Sequence, residues 1–459
     1  MKRTLLTLLL APLSLFASHA QSGAVHNYQT AMRAFYLWRC GTAVAGDYAG
    51  QHYATEACHL DDGYCDYIGM PGERRDGAGG WHDAGDFGKY TVNAGITVGN
   101  LFFAWEHFGD KLKGVSLSLP ETAQGYPEFL EEIKYETDFL FKMQYPDGSG
   151  RVSHKLTRVN FAPFIMPQDD HEKRYFTVWG SAATADFVAM MAMAARHFAP
   201  YDKAYADKCL KAARQSYEFL QKHPKDHRFV QGDFKTGGYQ TSDPDDRLWA
   251  AAEMWQTTGE KVFLKDVEKR IKALNGHYVE SNWDWGNVAN LGVWTYVLSD
   301  RAGRDSKLVE AIRKSILADA EKVAAQVASD KYGSPLSKYF WGCNGLAARL
   351  SVNLHVAELV SGESGKYTAE IRRINDYLLG NNPHKRSYVT GLGVNPPMHP
   401  HDRRSGADGI EAPWPGYLVG GGHTQTDWVD EQDDYSRNEI AINWQAGLVY
   451  LFAAVLAAE

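Results

Sequence analysis

Two stretches of the chain carry residue types at spacings that suit acid–base chemistry. The first is Gly79-Gly80-Trp81-His82-Asp83-Ala84-Gly85-Asp86-Phe87-Gly88-Lys89-Tyr90. Asp83 and Asp86 stand three apart among glycines, which let a backbone turn tightly and approach a ligand closely. Trp81, Phe87 and Tyr90 add flat apolar surface beside the acids. Rings that stack on the axial hydrogens of a sugar, next to carboxylates that bond its hydroxyls, suit a sugar site. The same residues alone also fit a solvated acidic turn, or half of a calcium site.

The second stretch runs Trp428-Val429-Asp430-Glu431-Gln432-Asp433-Asp434-Tyr435-Ser436-Arg437-Asn438-Glu439. Glu439 is expected to open the last helix, where an acid gains a modest benefit from the helix dipole and nothing more. Its company argues for a role. Tyr435 lies one turn earlier, and the four carboxylates of 430–434 would disfavour ionisation and leave one acid protonated near neutral pH. Cleavage of a glycosidic bond needs such a protonated acid at the leaving oxygen. Upstream, Ser387 to Arg403 is stiffened by prolines and presents His401 and Arg403 at alternate positions, spaced to bond two hydroxyls of one ring. Alternatively, Arg403 orders the acidic loop through a salt bridge.

The elements that must position these residues are helical. Runs are expected at about 25–38, 90–108, 127–143, 180–198, 202–221, 246–258, 260–272, 286–300, 305–328, 342–361, 366–380 and 439–457. Twelve helices in hairpin pairs suggest a closed all-α ring of six inner and six outer helices, an (α/α)6 barrel; a four-helix bundle with extensions is the plainer alternative. Strand-like alternation is scarce, and Ser387–Leu392 is the best candidate. The long stretches 41–80, 144–178, 223–245 and 381–438 exceed ordinary connections, as functional loops often do. The Gly- and Asp-rich region 41–80 would order poorly without a clip.

Residues 1–20 read as a signal peptide, with Lys2 and Arg3 at its charged end, an apolar run from Leu5 to Phe16, and Ser18-His19-Ala20 before the cut. That run is too short to span a bilayer, and the apolar stretch at 440–458 is interrupted by Asn443, Gln445 and Gly447. The expectation is a secreted or periplasmic protein with no membrane insertion. Residues 21–459 then form one catalytic-size domain, since no linker of biased composition divides them. With a formal charge of -8 and no compensating basic stripe, the 459-residue chain disfavours a nucleic-acid partner. Its 13 Trp and 25 Tyr suit a neutral polymer.

Taken together, Gly-Gly-Trp-His-Asp-Ala-Gly-Asp, Gly391 to Arg403 and Asp430 to Gln445 resemble glycoside hydrolase family 9, over about residues 22–459. The resemblance implies an (α/α)6 barrel, an inverting mechanism and, in most members, endo-acting cellulase activity. By matching position, Asp86 resembles the general base, Asp83 its partner in holding the water, and Glu439 the general acid. His401 and Arg403 resemble the pair gripping the sugar before the scissile bond, and Tyr435 an aromatic of that subsite. Asn443 and Gln445 depart from the family's usual Asp and Asn, and read as changes in packing or in the groups just behind the site.

Cys40, Cys58, His59 and His82 make a further set. Two thiolates and two imidazoles form a standard tetrahedral zinc site, although the spacing is not that of a zinc finger. A Cys40–Cys58 disulfide with two incidental histidines is the alternative, which export favours. One branch of the family resembles this chain here, holding a structural zinc with two cysteines, a following histidine and the histidine before Asp-Ala-Gly-Asp. Calcium, common in the family, is a lesser expectation for the acidic loops Asp243–Asp246 and Asp430–Asp434. Trp283, Trp285, Trp341 and Tyr339, with His154 and Trp179 further behind, are candidates for the substrate cleft or, equally, for core packing. Many members of the zinc-bearing branch carry an N-terminal immunoglobulin-like domain, for which this chain leaves almost no room. A stand-alone barrel then needs other support, from leader-proximal residues or from a second copy in a homo-oligomer.

The expected substrate is soluble or amorphous β-1,4-glucan, mixed-linkage glucan or cello-oligosaccharide. Alternatives are an exo-acting enzyme releasing glucose, cellobiose or glucosamine, and a non-hydrolytic oligosaccharide-binding protein. The retained pair of acids speaks against the last, because binding needs no acid and base.

Overall fold

The structure is a computed structural model that describes residues 11–120 and 125–459, without side chains for 11–22. The expected leader over 1–20 therefore lies outside the described residues for its first half, and its second half is described only as backbone. Helices dominate: α1 (Ala11–Leu37), α2 (Thr91–Leu112), α3 (Glu128–Met143), α4 (Ser181–Phe198), α5 (Lys203–Lys222), α6 (Pro244–Thr258), α7 (Lys261–Ala273), α8 (Ala289–Leu298), α9 (Ser306–Ser329), α10 (Cys343–Ser361), α11 (Thr368–Leu378), the single-turn α12 (Tyr435–Asn438) and α13 (Ile442–Ala457). Each of the twelve expected runs is a helix. The first begins at Ala11, well before the expected start.

Neighbouring helices close a ring, α2–α4–α6–α8–α10–α13 and back to α2, and α1, α3, α5, α7, α9 and α11 pack outside it. This is the (α/α)6 barrel. The sequence explains the sorting. Helix α13 buries every residue from Ile442 to Ala454, and α4 buries the small-residue and Met run from Ser181 to Ala195. A helix that is apolar all round has to be enclosed. Outer α5 instead buries one stripe, Tyr205, Cys209, Ala212, Ser216 and Leu220 among them, and faces water with its lysines.

Two small sheets lie in the connections. Strands β1 (Val44–Tyr48) and β2 (Gln51–Thr55) form a hairpin inside the region expected to lack order. Strands β3 (Lys89–Tyr90), β4 (Lys155–Thr157) and β5 (Tyr175–Phe176) form an antiparallel sheet in the order β3-β4-β5. The strand expected at Ser387–Leu392 does not form. Val389 makes only an isolated bridge to Leu418, and Gly391 and Gly393 turn the chain with positive φ. The long connections 79–90, 144–180, 223–243, 275–288, 330–342 and 379–441 all lead into the N-terminal ends of inner helices, so they gather at one mouth of the barrel.

Candidate active site

The acidic segment is set by main-chain bonds on both sides. Asp83 N donates to Gly88 O at 2.9 Å, closing a loop around Asp86. Across from it, Ile442 N donates to Asp83 O at 2.8 Å and Ala84 bridges Ala441. Arg403 N donates to Gly85 O, while His401 bridges Glu439. Gly85 is required here, since a Cβ would stand 1.9 Å from His401 O. Three separated segments, 83–88, 401–403 and 439–442, are thus stitched together at the mouth.

Glu439 differs from expectation in two respects. It does not open the last helix; it caps α12 at the C-terminal side in extended backbone (φ -66°, ψ 155°), and α13 starts at Ile442. Nor are the acids of 430–434 the main charges acting on it. Asp430 pairs with Arg386 at 2.7 Å, and Asp434 with Arg437 at 2.7 Å. The Glu439 carboxyl is nonetheless raised well above the ordinary range, first by burial and then by Asp86 and Asp83, with Arg403 and Trp341 opposing. It keeps part of its surface open to the cleft. Asp83, buried, receives Tyr239 Oη at 2.6 Å and Asn93 Nδ2 at 2.7 Å, yet burial and the Asp86 charge push it up to about 8. Asp86 accepts from Gly88 N at 3.0 Å and Tyr90 Oη at 3.2 Å. Tyr239 and Asn93 were not legible as site residues, although Gly237-Gly238-Tyr239 lies in a connection long enough to suggest function.

The remaining candidates divide. His401 Nδ1 lies 2.7 Å from Gln432 O, with its ring edge-on to Phe164 and Tyr435. Arg403 Nε donates to Ala162 O at 2.7 Å, and among the described residues it has no ion-pair partner, so the salt-bridge alternative fails. Trp341 is 45% exposed beside Tyr435, at 5.3 Å between rings, and its indole reaches Glu439. Trp285 is half-buried against Tyr239. Trp283 is core: it is fully buried against Trp294 and donates to Asn353 at 2.9 Å, because its position points into the ring between α8 and α10. His154 is also buried, stacked on Phe229 at 4.1 Å and bonded to Gly238 O, so it supports a loop and does not meet the cleft. Trp179 stacks on His227 at 3.9 Å, and Tyr339 bonds Ser334 at 3.0 Å; neither touches the acids. Gln445 packs in the core, donating to Ala31 O and Gly416 O, whereas Asn443 stands directly behind the acids: its Oδ1 accepts from Asn93 Nδ2 at 3.4 Å and its Nδ2 donates to Asp284 Oδ1 at 2.7 Å.

Cys40, Cys58, His59 and His82 converge with all four ligand atoms within 4.8 Å of one another. The cysteines are not bonded together. His82 Nε2 lies 3.3 Å from His59 Nδ1, and the sulfur–nitrogen separations are 3.7 and 3.9 Å. Bond lengths of about 2.3 Å to sulfur and 2.0–2.1 Å to nitrogen give tetrahedral edges close to these. Asp170 lies 3.4 Å from His59 Nε2, and Lys89 Nζ donates to Cys40 Sγ at 3.5 Å. Burial lowers His82 to about 4, which keeps it neutral and able to bind a cation. The four residues form a potential metal-binding cluster of two thiols and two imidazoles. Among the described residues no comparable group forms at the acidic loops: Asp243 is taken by Arg247 at 2.6 Å and Asp430 by Arg386. No described helix is long and apolar enough to cross a membrane.

Comparison with known proteins follows the same lines. The sequence profile described as "Glycosyl hydrolase family 9" matches residues 26–452. A protein named Endoglucanase D from Acetivibrio thermocellus is 53% identical over 429 residues, covering 93% of this chain and 68% of its own length. A solved structure described as Bacteroides ovatus GH9 superposes with a TM-score of 0.86 at 30% identity, over 95% of this chain and 83% of the other. A thermostable endoglucanase from Alicyclobacillus acidocaldarius gives 0.86 at 32% identity, over 94% and 84%.

Proposed function

The chain belongs to glycosyl hydrolase family 9, and we propose that it cleaves β-1,4-linked glucan internally, with inversion at the anomeric carbon. The reading rests above all on the stitching of the 83–88 and 439–442 segments, which brings two aspartates and an acid held protonated to one cleft. Asp86 takes a proton from water as it attacks the anomeric carbon, and Glu439 gives its proton to the departing oxygen. An inverting reaction requires the two carboxyls to flank the bond at roughly 6.5–9.5 Å, leaving room for that water. Asp83, fixed by Tyr239 and Asn93, helps to hold the water. His401, Arg403 and Tyr435 grip the sugar before the scissile bond, and the exposed face of Trp341 stacks on a ring beside it. A β-linked glucan then releases an α-configured end.

Soluble or amorphous β-glucan and cello-oligosaccharides are the substrates we propose, in keeping with the relatives' names. The Cys/His site suits zinc, which when bound would cross-link the 40–59 region to the strand carrying the aspartates and take no part in bond cleavage. Residues 1–20 would direct export to the periplasm or medium, leaving 21–459 as one catalytic domain. A time course on carboxymethyl cellulose and cello-oligosaccharides tests the reading, through viscosity, reducing ends and product anomer. Early viscosity loss with α-anomeric products is expected. Steady release of one small product at constant viscosity would replace it by exo action, and no turnover on any β-glucan would end it.

A further inference from the structure

We propose that Lys155 is a positioning residue of the hydrolytic site: its buried ammonium fastens the 231–239 loop, which brings Tyr239 to Asp83 and bonds the Tyr90 hydroxyl that holds Asp86, and it presents a positive charge to Asp86. The inference rests on Asp86 acting as the base.

Lys155 lies on β4, paired across the sheet with Tyr90, and its side chain is fully buried. Its Nζ donates to Gly237 O at 2.8 Å, Gln231 Oε1 at 3.0 Å, and Thr236 O and Oγ1 at 3.2 Å. Every one of these acceptors is neutral. Around it stand the rings of Phe234, Phe229 and Tyr90, at 5.0, 5.4 and 5.6 Å. Buried lysines ordinarily meet a carboxylate, and this one meets none within ion-pair distance among the described residues. Burial lowers it to about 7, and Asp86 is the charge that opposes the fall.

What the lysine organises explains why the chain carries that cost. The bonds to Thr236 O and Gly237 O fix the loop. Gly237 N donates to Tyr90 Oη at 3.1 Å, and the same hydroxyl donates to Asp86 Oδ2 at 3.2 Å. Two residues on, Tyr239 reaches Asp83 from a backbone at φ 43°, which non-glycine residues adopt only when the surroundings hold them there. The charged or titratable groups facing Asp86 are Asp83, Glu439, Tyr90, His401 and Lys155. Facing Lys155 are Asp86, Tyr90 and His154, and burial keeps that histidine neutral. Lys155 thus sets a positive charge against Asp86, as Arg403 does against Glu439.

The test is the pH profile of kcat/KM on a soluble β-glucan for Lys155→Met, which keeps chain length and removes charge. The acid limb should move up by about one pH unit, the low end for an opposing charge near a carboxylate, giving about tenfold less activity below the limb. The fall should be in kcat more than in KM. Tyr90→Phe, which deletes only the hydroxyl link, should move the limb the same way by less, and carries the test if the methionine variant does not fold. An unmoved limb in a folded Lys155→Met, or in Tyr90→Phe where that variant alone folds, overturns the inference. Asp86→Asn separates the two readings: if it retains activity the assignment of the base fails, whereas an inactive Asp86→Asn beside an unmoved Lys155→Met limb removes only the role of Lys155.

Discussion

Replacing Glu439 by Gln keeps the shape of the side chain and removes only the transferable proton. General acid help is typically worth about 10²- to 10⁴-fold. The upper half is expected here, because the neighbouring imidazole, His401, is a poor substitute donor: burial weakens its hold on a proton. A loss of about 10³- to 10⁴-fold in kcat/KM on β-glucan is expected, equivalent to about 4–5.5 kcal/mol of barrier. A dinitrophenyl β-cellobioside leaves without protonation, so its loss should stay within about tenfold, and the alkaline limb of its profile should disappear. Stability should move the other way. The folded carboxyl is raised above its unfolded value of about 4.3, so as pH rises the unfolded chain ionises first and the folded state loses stability. That cost is absent below pH 4 and grows above it until the folded carboxyl ionises. Glu439→Gln should therefore match or exceed the parent in melting temperature at pH 7, with the difference closing toward pH 4. Equal losses on both substrates would refute the acid assignment, and a variant less stable at pH 7 than at pH 4, relative to the parent, would refute the raised carboxyl.

Three further outcomes follow from the geometry. Chelation, or Cys58→Ser, should release bound metal, measurable by elemental analysis, and lower stability by about 4 kcal/mol or more, with activity falling in parallel. Trp341→Ala should raise KM about five- to tenfold with little change in melting temperature, whereas Trp283→Ala should cost about 3–5 kcal/mol of stability, so that denaturation and kinetics together separate platform from core. Gly85→Ala should abolish turnover with the helical circular-dichroism signal retained, since its Cβ forces apart the 83–88 and 401–403 segments at the mouth and leaves the barrel intact.

The barrel was legible because its helices are sorted by how much polar surface each has. A run such as Ala182 to Ala195 has nowhere to sit but inside, and α5 has a polar face to turn outward. The acids were legible through their company of glycines and rings. The reason for the raised Glu439 carboxyl was not, because Asp430 and Asp434 stand near it in sequence but are neutralised by Arg386 and Arg437, while the acids that act on it come from some 350 residues away. Trp283 and Trp285 show the same limit. Two residues apart at the mouth of one helix, one is core and the other half-open, and only the packing of α10 decides which. Short strands such as β3 leave no periodicity to read, yet β3 and β4 put Lys155 beside Tyr90.

The metal site and the acids belong to one mechanical unit. Cys40 N donates to Gly80 O at 2.7 Å, His82 N to Trp38 O at 2.8 Å, and Arg39 bridges Trp81, so the segments bearing Cys40 and His82 are paired directly before the aspartates. Trp81 is held from a second side by Glu136 and Glu132 of α3, at 2.7 and 2.8 Å. His82 is the last residue clamped before Asp83. Glu439 reaches the same place from the far end of the chain through the backbone bridges of Glu439 to His401 and of Ala441 to Ala84. Because main-chain bonds set the frame, the acid and base can change charge state during turnover without loosening what spaces them. A metal that orders the aspartate strand therefore contributes to catalysis through position, and its removal should lower kcat before it alters which bond is cut.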